Sequence, residues 1–143
     1  MQLEFVSLSG PKVQNDVYEV ILPTADGNIA VFPQHMPLVT TVVPGIITVR
    51  HKKGDPDDAR DVFATNGGIA EITGKTVRLL VDEADHAQDI VEQEAKEALE
   101  AAKKLKAEAK DELELERAEA LVDRQAVRLK VAELRRGRGK PRP

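Results

Sequence analysis

The side chains able to do acid–base or metal chemistry are three histidines and many carboxylates. The histidines are His35, His51 and His86, and no two of them have the i, i+4 spacing or the His-Glu-x-x-His frame that holds zinc on a helix. The chain has no cysteine, so it lacks a thiol nucleophile. Its carboxylates lie mostly in the second half among lysines and arginines, a pattern typical of solvated helix faces. We therefore expect no catalytic residue, no metal and no cofactor.

Nucleotide-binding motifs are also missing from the sequence. It contains no Gly-x-Gly-x-x-Gly, no phosphate loop and no Gly-x-Ser-x-Gly elbow, and Gly67-Gly68 is interpreted as a hairpin turn. The net charge of −4 argues against a dedicated nucleic-acid binder. A small enzyme that uses scattered carboxylates remains an alternative, but no constellation of residues supports it.

Two segments have features of binding sites. Two prolines in Pro33–Pro37 predict a rigid exposed loop, in which His35 braces the loop or Met36 offers an adaptable apolar contact to a partner. The C-terminus is basic, with no acid after Glu133. Such an end fits nucleic acid, anionic lipid or an acidic protein surface, or is a disordered solubilising tail.

The composition that must position these segments changes near residue 85. Residues 1–85 hold 25 Val, Ile and Thr residues and all four aromatics, whereas residues 86–143 hold 5 Val, Ile and Thr residues and more alanine. β-branched and aromatic residues suit strands, and alanine suits helices. We predict a β domain over 1–85 and a helical domain over 86–143.

The β domain is predicted to contain many short strands separated by turn residues. Because no helical pattern intervenes and the segment is small, two packed antiparallel sheets are favoured, with tight reversals at Pro44-Gly45 and Asn66–Gly68. The predicted strands are Leu3–Leu8, Val13–Leu22, Asn28–Phe32, Leu38–Val43, Ile46–Arg50, Asp61–Thr65, Ile69–Ile72 and Thr76–Val81.

The helical domain is predicted to be an antiparallel hairpin. Apolar residues recur every three or four positions over Val91–Leu105 and again over Leu115–Ala132, and the two faces are out of phase. Asp111 followed by Glu114 resembles a capping box, which places a turn near Ala107–Lys110. Because this turn has no glycine or proline and the first face is mostly alanine, a switch to one helix of roughly 75 Å is a second hypothesis.

Five short sequence motifs, in a fixed order, resemble motifs of the epsilon subunit of bacterial and chloroplast F-type ATP synthases and of the mitochondrial delta subunit. The motifs are Asp26–Leu38, Val43–Ile47, Asn66–Ile72, Val77–Ala84 and Arg128–Ala132. The resemblance implies a non-catalytic stalk subunit whose sandwich binds the gamma subunit and the c-ring. It couples their rotation to ATP synthesis, and its extended helices enter the alpha/beta head and inhibit ATP hydrolysis.

The resemblance also implies which residues meet the partners. The expected c-ring contacts are Asn28, Pro33, Gln34, His35, Met36, Pro37 and Leu38. Asn28 stands where many members have an acid, and Ala30 where glycine is usual. The expected regulatory contacts of the second helix and tail, toward acidic surfaces of the beta subunits, are Arg124, Arg128, Arg135, Arg136 and Arg138.

Some epsilon subunits bind regulatory ATP through an Asp-x-x-Arg motif at the start of the first helix. Here Val91 replaces the aspartate and Glu94 replaces the arginine, so a carboxylate stands where a guanidinium would bind phosphate. We therefore expect weak or absent ATP binding. The sequence contains no apolar run of about 20 residues and no recognisable presequence. We therefore expect a peripheral protein on the cytoplasmic face of a bacterial inner membrane.

One further class remains open. Transcript-cleavage factors also join a helical hairpin to a β-rich domain, but they place the hairpin first and carry acids at its tip for Mg²⁺. Here the hairpin comes last, and its tip, Ala107–Asp111, has mixed charge.

Overall fold

A computed structural model describes residues 1–7 and 10–138, with only the backbone for residues 10–14. The elements in chain order are strands β1 Gln2–Ser7, β2 Gly10–Asp16, β3 Glu19–Thr24, β4 Gly27–Val31, β5 Leu38–Val42, β6 Gly45–Arg50, β7 Asp61–Thr65, β8 Gly68–Ile72, β9 Thr76–Val81 and β10 Ala84–His86, then helices α1 Glu92–Ala107 and α2 Glu112–Arg138. Single 3-10 turns lie at Asp57–Ala59 and Ala87–Asp89. The predicted order, a β-sandwich followed by a helical hairpin, is confirmed.

The strands form two five-stranded sheets. Sheet 1 has the order β2-β1-β9-β8-β5, and sheet 2 has the order β10-β7-β6-β3-β4. The pairs are antiparallel except β1 with β9, which run parallel. Alternate residues of β1 and β9 point into the space between the sheets, so that Leu3 and Phe5 of β1 meet Val77 and Leu79 of β9 in the core.

Both predicted reversals are wrong. β5 pairs with β8 in sheet 1, whereas β6 pairs with β3 and β7 in sheet 2, so Pro44-Gly45 carries the chain from one sheet to the other. Asn66-Gly67 makes the return crossing from β7 to β8. Glycine and proline between short strands mark a change of direction, and they do not show whether the next strand pairs with the previous one.

The predicted strand Val13–Leu22 is also wrong, because the chain changes sheets within it. β2 ends at Asp16 and β3 begins at Glu19. Between them, the Val17 amide donates to Met1 O at 2.8 Å and the Tyr18 amide donates to Arg50 O at 2.8 Å. The sequence analysis did not predict β10, which pairs with β7 at the edge of sheet 2.

The hairpin turn occupies Glu108–Asp111, next to the predicted position. The Asp111 carboxylate accepts from the Glu114 amide at 2.8 Å, and the Glu114 carboxylate accepts from the Lys110 amide at 3.0 Å. The predicted cap is therefore confirmed, with its second bond made to Lys110. In the part of the chain that the structure describes, no helix is long and apolar enough to span a membrane.

The hairpin folds back onto sheet 2. A second apolar cluster joins β7 to the linker and both helices, and its buried members are Val62, Ala64, Ala87, Ile90, Ala95, Val131 and Ala132. The tip of the hairpin lies away from this cluster and leaves Leu105 and Leu115 exposed. The hairpin thus packs on the β7 and β6 part of sheet 2.

Candidate functional site

The loop between β4 and β5 presents an apolar tip on a braced backbone. Gln34 has a positive φ of 68°, and its amide donates to Gly74 O at 2.9 Å. The His35 amide donates to Phe32 O at 3.1 Å, and the His35 ring Nδ1 donates to Met36 O at 2.7 Å. Met36 is 73% exposed. His35 therefore braces the loop and Met36 is presented to solvent, and the contact of Met36 with a partner stays a prediction.

The other predicted c-ring contacts fall into two groups. Pro33, Pro37 and Leu38 are exposed beside the loop tip. Asn28 is exposed near the start of β4, roughly 10 Å along the strand from Val31, where the loop begins. The structure therefore brings together the residues from 33 to 38 and leaves Asn28 apart from them. Ala30 is exposed on the same edge strand, so its Cβ meets solvent.

The outer face of sheet 1 carries an apolar row that the sequence analysis missed. Cross-strand register aligns Ile69 of β8 with Leu80 of β9 and then with Val6 of β1. Ile69 is 46% exposed and Leu80 is 41% exposed. In the sequence, this row was indicated by the adjacent apolar residues Leu79 and Leu80. Successive residues of a strand point to opposite faces, so this strand carries an apolar side chain on each face.

A charged row lies beside the apolar one on this face. Glu71, Arg78 and Glu4 stand side by side on β8, β9 and β1. Arg78 Nε lies 3.1 Å from Glu4 Oε2, and Arg78 Nη1 lies 3.7 Å from Glu71 Oε2. Val39 of β5 ends this row and is 69% exposed. We call these two rows the outer face of sheet 1.

The arginines of α2 hold the hairpin onto the sandwich. Arg124 pairs with Glu83, which lies between β9 and β10. Arg128 Nε lies 3.2 Å from Asp85 Oδ2 on β10. All four of these side chains are partly exposed.

The remaining predicted arginines lie in the last turns of α2. Arg135 Nη1 donates to Ala87 O at 2.8 Å and to Gln88 O at 3.1 Å. Arg138 Nη1 donates to Arg60 O at 2.7 Å. Arg136 turns to α1 instead, with Nη1 2.9 Å from a Glu92 oxygen. The rest of the predicted basic tail lies outside the described residues.

A charged cluster that the sequence analysis did not predict lies around Arg60, whose carbonyl accepts the hydrogen bond from Arg138. Glu19 is 7% exposed, accepts a hydrogen bond from Arg50 Nε at 3.1 Å, and forms an ion pair with Arg60 Nη2 at 2.8 Å. The hydrogen bond that Arg50 donates to Glu19 raises the pKa of Arg50, and the hydrogen bond that Asp57 accepts from Arg50 lowers the pKa of Asp57. The cluster fixes the 3-10 turn before β7, so the Arg60 carbonyl is held where α2 ends.

Two histidines share one carboxylate next to this cluster. His51 Nε2 lies 2.7 Å from Asp61 Oδ2, and His86 Nε2 lies 3.5 Å from Asp61 Oδ1. The hydrogen bond to Asp61 raises the pKa of His51. The second ring nitrogen of His86 accepts from the Gln88 amide at 3.1 Å and so caps the 3-10 turn that leads to α1. Over the described residues, no three His, Cys, Asp or Glu side chains converge to hold a metal ion.

The altered ATP-binding motif, with Val91 and Glu94, lies at the start of α1. Val91 is the residue before the helix and is 52% exposed, and Glu94 is exposed in the first turn. Their neighbour Ile90 is buried in the cluster between helices and sheet 2. The start of α1 is therefore used for packing and presents acidic groups to solvent.

Comparison with known proteins matches this architecture along the chain. The family model described as ATP synthase, Delta/Epsilon chain, beta-sandwich domain matches residues 1–87. An ATP synthase epsilon chain of Herpetosiphon aurantiacus is 32% identical over 139 residues, which are 96% of this chain and 98% of that one. A chloroplastic ATP synthase epsilon chain of Cucumis sativus is 41% identical over 88 residues, which are 62% of each chain.

The fold also resembles that of a chain in a solved assembly. A chain in the cryo-EM structure of the Euglena gracilis mitochondrial ATP synthase, comprising OSCP, F1 and c-ring, superposes with a TM-score of 0.75. It covers 92% of this chain and 79% of that chain at 23% sequence identity, so it supports the fold. The family model and the Herpetosiphon relative together show that this chain belongs to the ATP synthase delta/epsilon chain family.

Proposed function

We propose that the chain is a non-catalytic central-stalk subunit of a proton-translocating F-type ATP synthase. It couples rotation of the c-ring and the gamma subunit to ATP synthesis, and its C-terminal helices inhibit ATP hydrolysis. The observation that carries the proposal is the division of surfaces in a member of this family. One sheet carries, on its β7 and β6 strands, a hairpin held through charged contacts, and the other sheet offers an uncovered apolar face.

The gamma subunit docks on the outer face of sheet 1. Ile69, Leu80 and Val39 form an exposed apolar surface, which on a soluble protein marks an interaction site. The Glu4–Arg78–Glu71 ladder beside it supplies polar groups at a rim. The hairpin lies on sheet 2, so docking here leaves the hairpin free to move.

The β4–β5 loop contacts the c-ring through Met36 and its flanking prolines. The loop backbone is braced by hydrogen bonds at Gln34 and His35, so little conformational entropy is lost when Met36 is buried. Asn28 lies apart from the loop tip and contributes at the rim of this contact. Through this contact and gamma the subunit is peripheral to the membrane, on the cytoplasmic side in a bacterium.

The hairpin does not bind regulatory ATP. Glu94 places a carboxylate in the first turn of α1, and the cations near that turn, Lys96 and Arg136, are paired with Glu92. Arg124 and Arg128 are likewise already paired with carboxylates. Calorimetric titration of the isolated chain with ATP is expected to give no heat of binding. A micromolar affinity in that titration would contradict this expectation.

ATP hydrolysis by the assembled complex tests the inhibitory role. A chain ending at Asp89 keeps β10 and the 3-10 turn and removes both helices. We expect the complex with the shortened chain to hydrolyse ATP faster than the complex with the full chain, because nothing then enters the head. Co-purification with gamma and circular dichroism verify that the shortened chain is folded and assembled. Equal rates from two fully assembled complexes would refute inhibition.

A further inference from the structure

The basic side chains of α2 that face the sandwich form one stripe. Arg124, Arg128, Arg135 and Arg138 are spaced four, seven and three residues apart, which keeps them on one side of a helix. Each contacts a carboxylate or a carbonyl of the sandwich or of the linker before α1. We call these four residues the arginine stripe.

The apolar contact beneath the stripe is modest. Four of the seven buried residues in the cluster between hairpin and sandwich are alanines, and the largest is Ile90. Small side chains bury little apolar area, so the charged contacts supply a substantial share of what holds the hairpin down.

The ion pairs of the stripe are suited to release. The side chains of Arg124, Glu83 and Asp85 are each at least a third exposed and that of Arg128 is 28% exposed, so water reaches these ion pairs, although the pairing atoms Glu83 Oε2 and Arg128 Nε are themselves buried. Arg128 Nε has a carboxylate oxygen at 3.2 Å but no aligned hydrogen bond. Such contacts are screened by salt and exchange readily with another anionic surface.

We propose that Glu83 and Asp85 act as internal competitors that keep the arginine stripe from an acidic protein surface. While the hairpin is folded, the two carboxylates occupy Arg124 and Arg128. When the hairpin extends, the same guanidinium groups become available to acidic residues of the catalytic head. This inference rests on the proposed function for the identity of the second partner, and it concerns what regulates the exchange.

The competition predicts opposite outcomes for removing charge from its two sides. The variant Glu83→Gln/Asp85→Asn loses the internal competitor and keeps the stripe, so the hairpin opens more often and inhibition strengthens. The variant Arg124→Gln/Arg128→Gln also opens the hairpin, but it lacks the groups that bind the acidic surface, so inhibition weakens. A latch without competition predicts the same direction for both variants.

The opening is measured first on the isolated full-length chain. The chain has no native cysteine, so spin labels at Lys53→Cys and Ala126→Cys, both exposed positions, report the distance from sandwich to α2. Relative to the labelled wild type, Glu83→Gln/Asp85→Asn is expected to raise the ratio of open to folded hairpin roughly fivefold to twentyfold. About 0.5 M salt opens the wild type and changes the double variant little. Glu112→Gln/Glu116→Gln, which removes two exposed carboxylates of α2, is the matched control and leaves the distances unchanged.

Inhibition of ATP hydrolysis is then measured with each variant assembled into the complex. Stronger inhibition by the Glu83/Asp85 variant together with weaker inhibition by the Arg124/Arg128 variant supports the competition. Unchanged label distances in the Glu83/Asp85 variant overturn it, whatever the hydrolysis rates. A hairpin that opens as expected with no change in hydrolysis from either variant overturns the inhibitory function and leaves the internal contact standing.

Discussion

Glu19 lies at the centre of the charged cluster that supports the hairpin. It is 7% exposed and contacts two guanidinium groups, Arg50 and Arg60, so its buried charge is paired. The cluster orders the turn that precedes β7, and the Arg60 carbonyl of that turn receives Arg138 of α2. A charged network in the sandwich thus fixes the acceptor for one residue of the hairpin.

His51 is expected to make folding stability depend on pH. The hydrogen bond with Asp61 raises the pKa of His51 in the folded state above its unfolded value of about 6.5. The resulting stabilisation is fully present below that unfolded value, and it is lost as the pH rises through the raised folded value. Since His51 is 35% exposed, we expect less than about 1 kcal/mol.

Urea unfolding of the wild type and of His51→Gln between acidic and mildly alkaline pH checks this prediction. The free-energy difference between the two proteins should be largest at the acidic end and shrink toward alkaline pH. His35→Gln is the control, because the His35 ring hydrogen-bonds to the carbonyl of its neighbour and not to a carboxylate. A difference that grows with rising pH would show that the neutral form of His51 is the stabilising one.

Gly68 is expected to be the glycine least able to accept a side chain. A Cβ at this position would lie 2.1 Å from Leu80 O and 3.0 Å from Val81 Cα, both in the backbone of β9. Gly68→Ala must push apart two paired strands, so we expect a loss of at least about 2 kcal/mol in the free energy of unfolding. Gly54→Ala, where an added Cβ meets nothing within 4 Å, is the matched control and should unfold like the wild type. Equal stability of the two variants would rule out the close approach.

At the residue scale, local patterns could be predicted and distant pairings could not. The two prolines around His35 predicted an exposed loop because their effect on the backbone is local. The Glu19–Arg50 pair spans 31 residues, and each side chain alone is indistinguishable from a solvated surface charge. Leu80 was missed for a related reason. Whether an apolar residue of a strand points into the core or outward can be told only when the position of the opposing sheet is known.

Among the elements, the hairpin is the one most fully encoded locally. Its capping box, its two apolar faces and its turn lie within about 50 consecutive residues, so periodicity predicted them. The crossings between the sheets were interpreted as hairpins because the same turn residues serve both connections. Only the pairing of β5 with β8 and of β6 with β7 distinguishes the two, and that pairing depends on contacts distant in sequence.

Asp111 is expected to set the local stability of the start of α2. Its carboxylate accepts from the Glu114 amide at 2.8 Å, and Asp111→Ala leaves that amide without its partner. We expect a loss of about 1 kcal/mol, seen as faster amide exchange in the first turn of α2. Asp123→Ala removes an exposed carboxylate in the middle of the same helix and is the control. Identical exchange in both variants would show that the cap contributes nothing.

At the scale of the whole molecule, the two sheets present different outer surfaces. Sheet 2 packs against the hairpin through Val62 and Ala64, and the outer face of sheet 1 stays open beside it. A subunit that binds a rotor and also carries a movable arm needs these surfaces on opposite sides, because a shared surface would make binding and release exclusive. Gamma binding should therefore be insensitive to whether the hairpin is folded.

Ile69→Glu/Leu80→Glu is expected to abolish docking on gamma while leaving the fold intact. Both side chains point outward, 46% and 41% exposed, so two carboxylates are tolerated by the free chain. Against an apolar partner surface they would be buried without counter-ions, which weakens binding by roughly a hundredfold or more. The affinity for purified gamma is measured by surface plasmon resonance, with the urea midpoint as a check of folding. Leu113→Glu, at the exposed hairpin tip, introduces a carboxylate elsewhere and should bind gamma normally. Normal gamma affinity in the sheet variant would move the rotor contact to another face, and with it the argument that docking and hairpin release are independent.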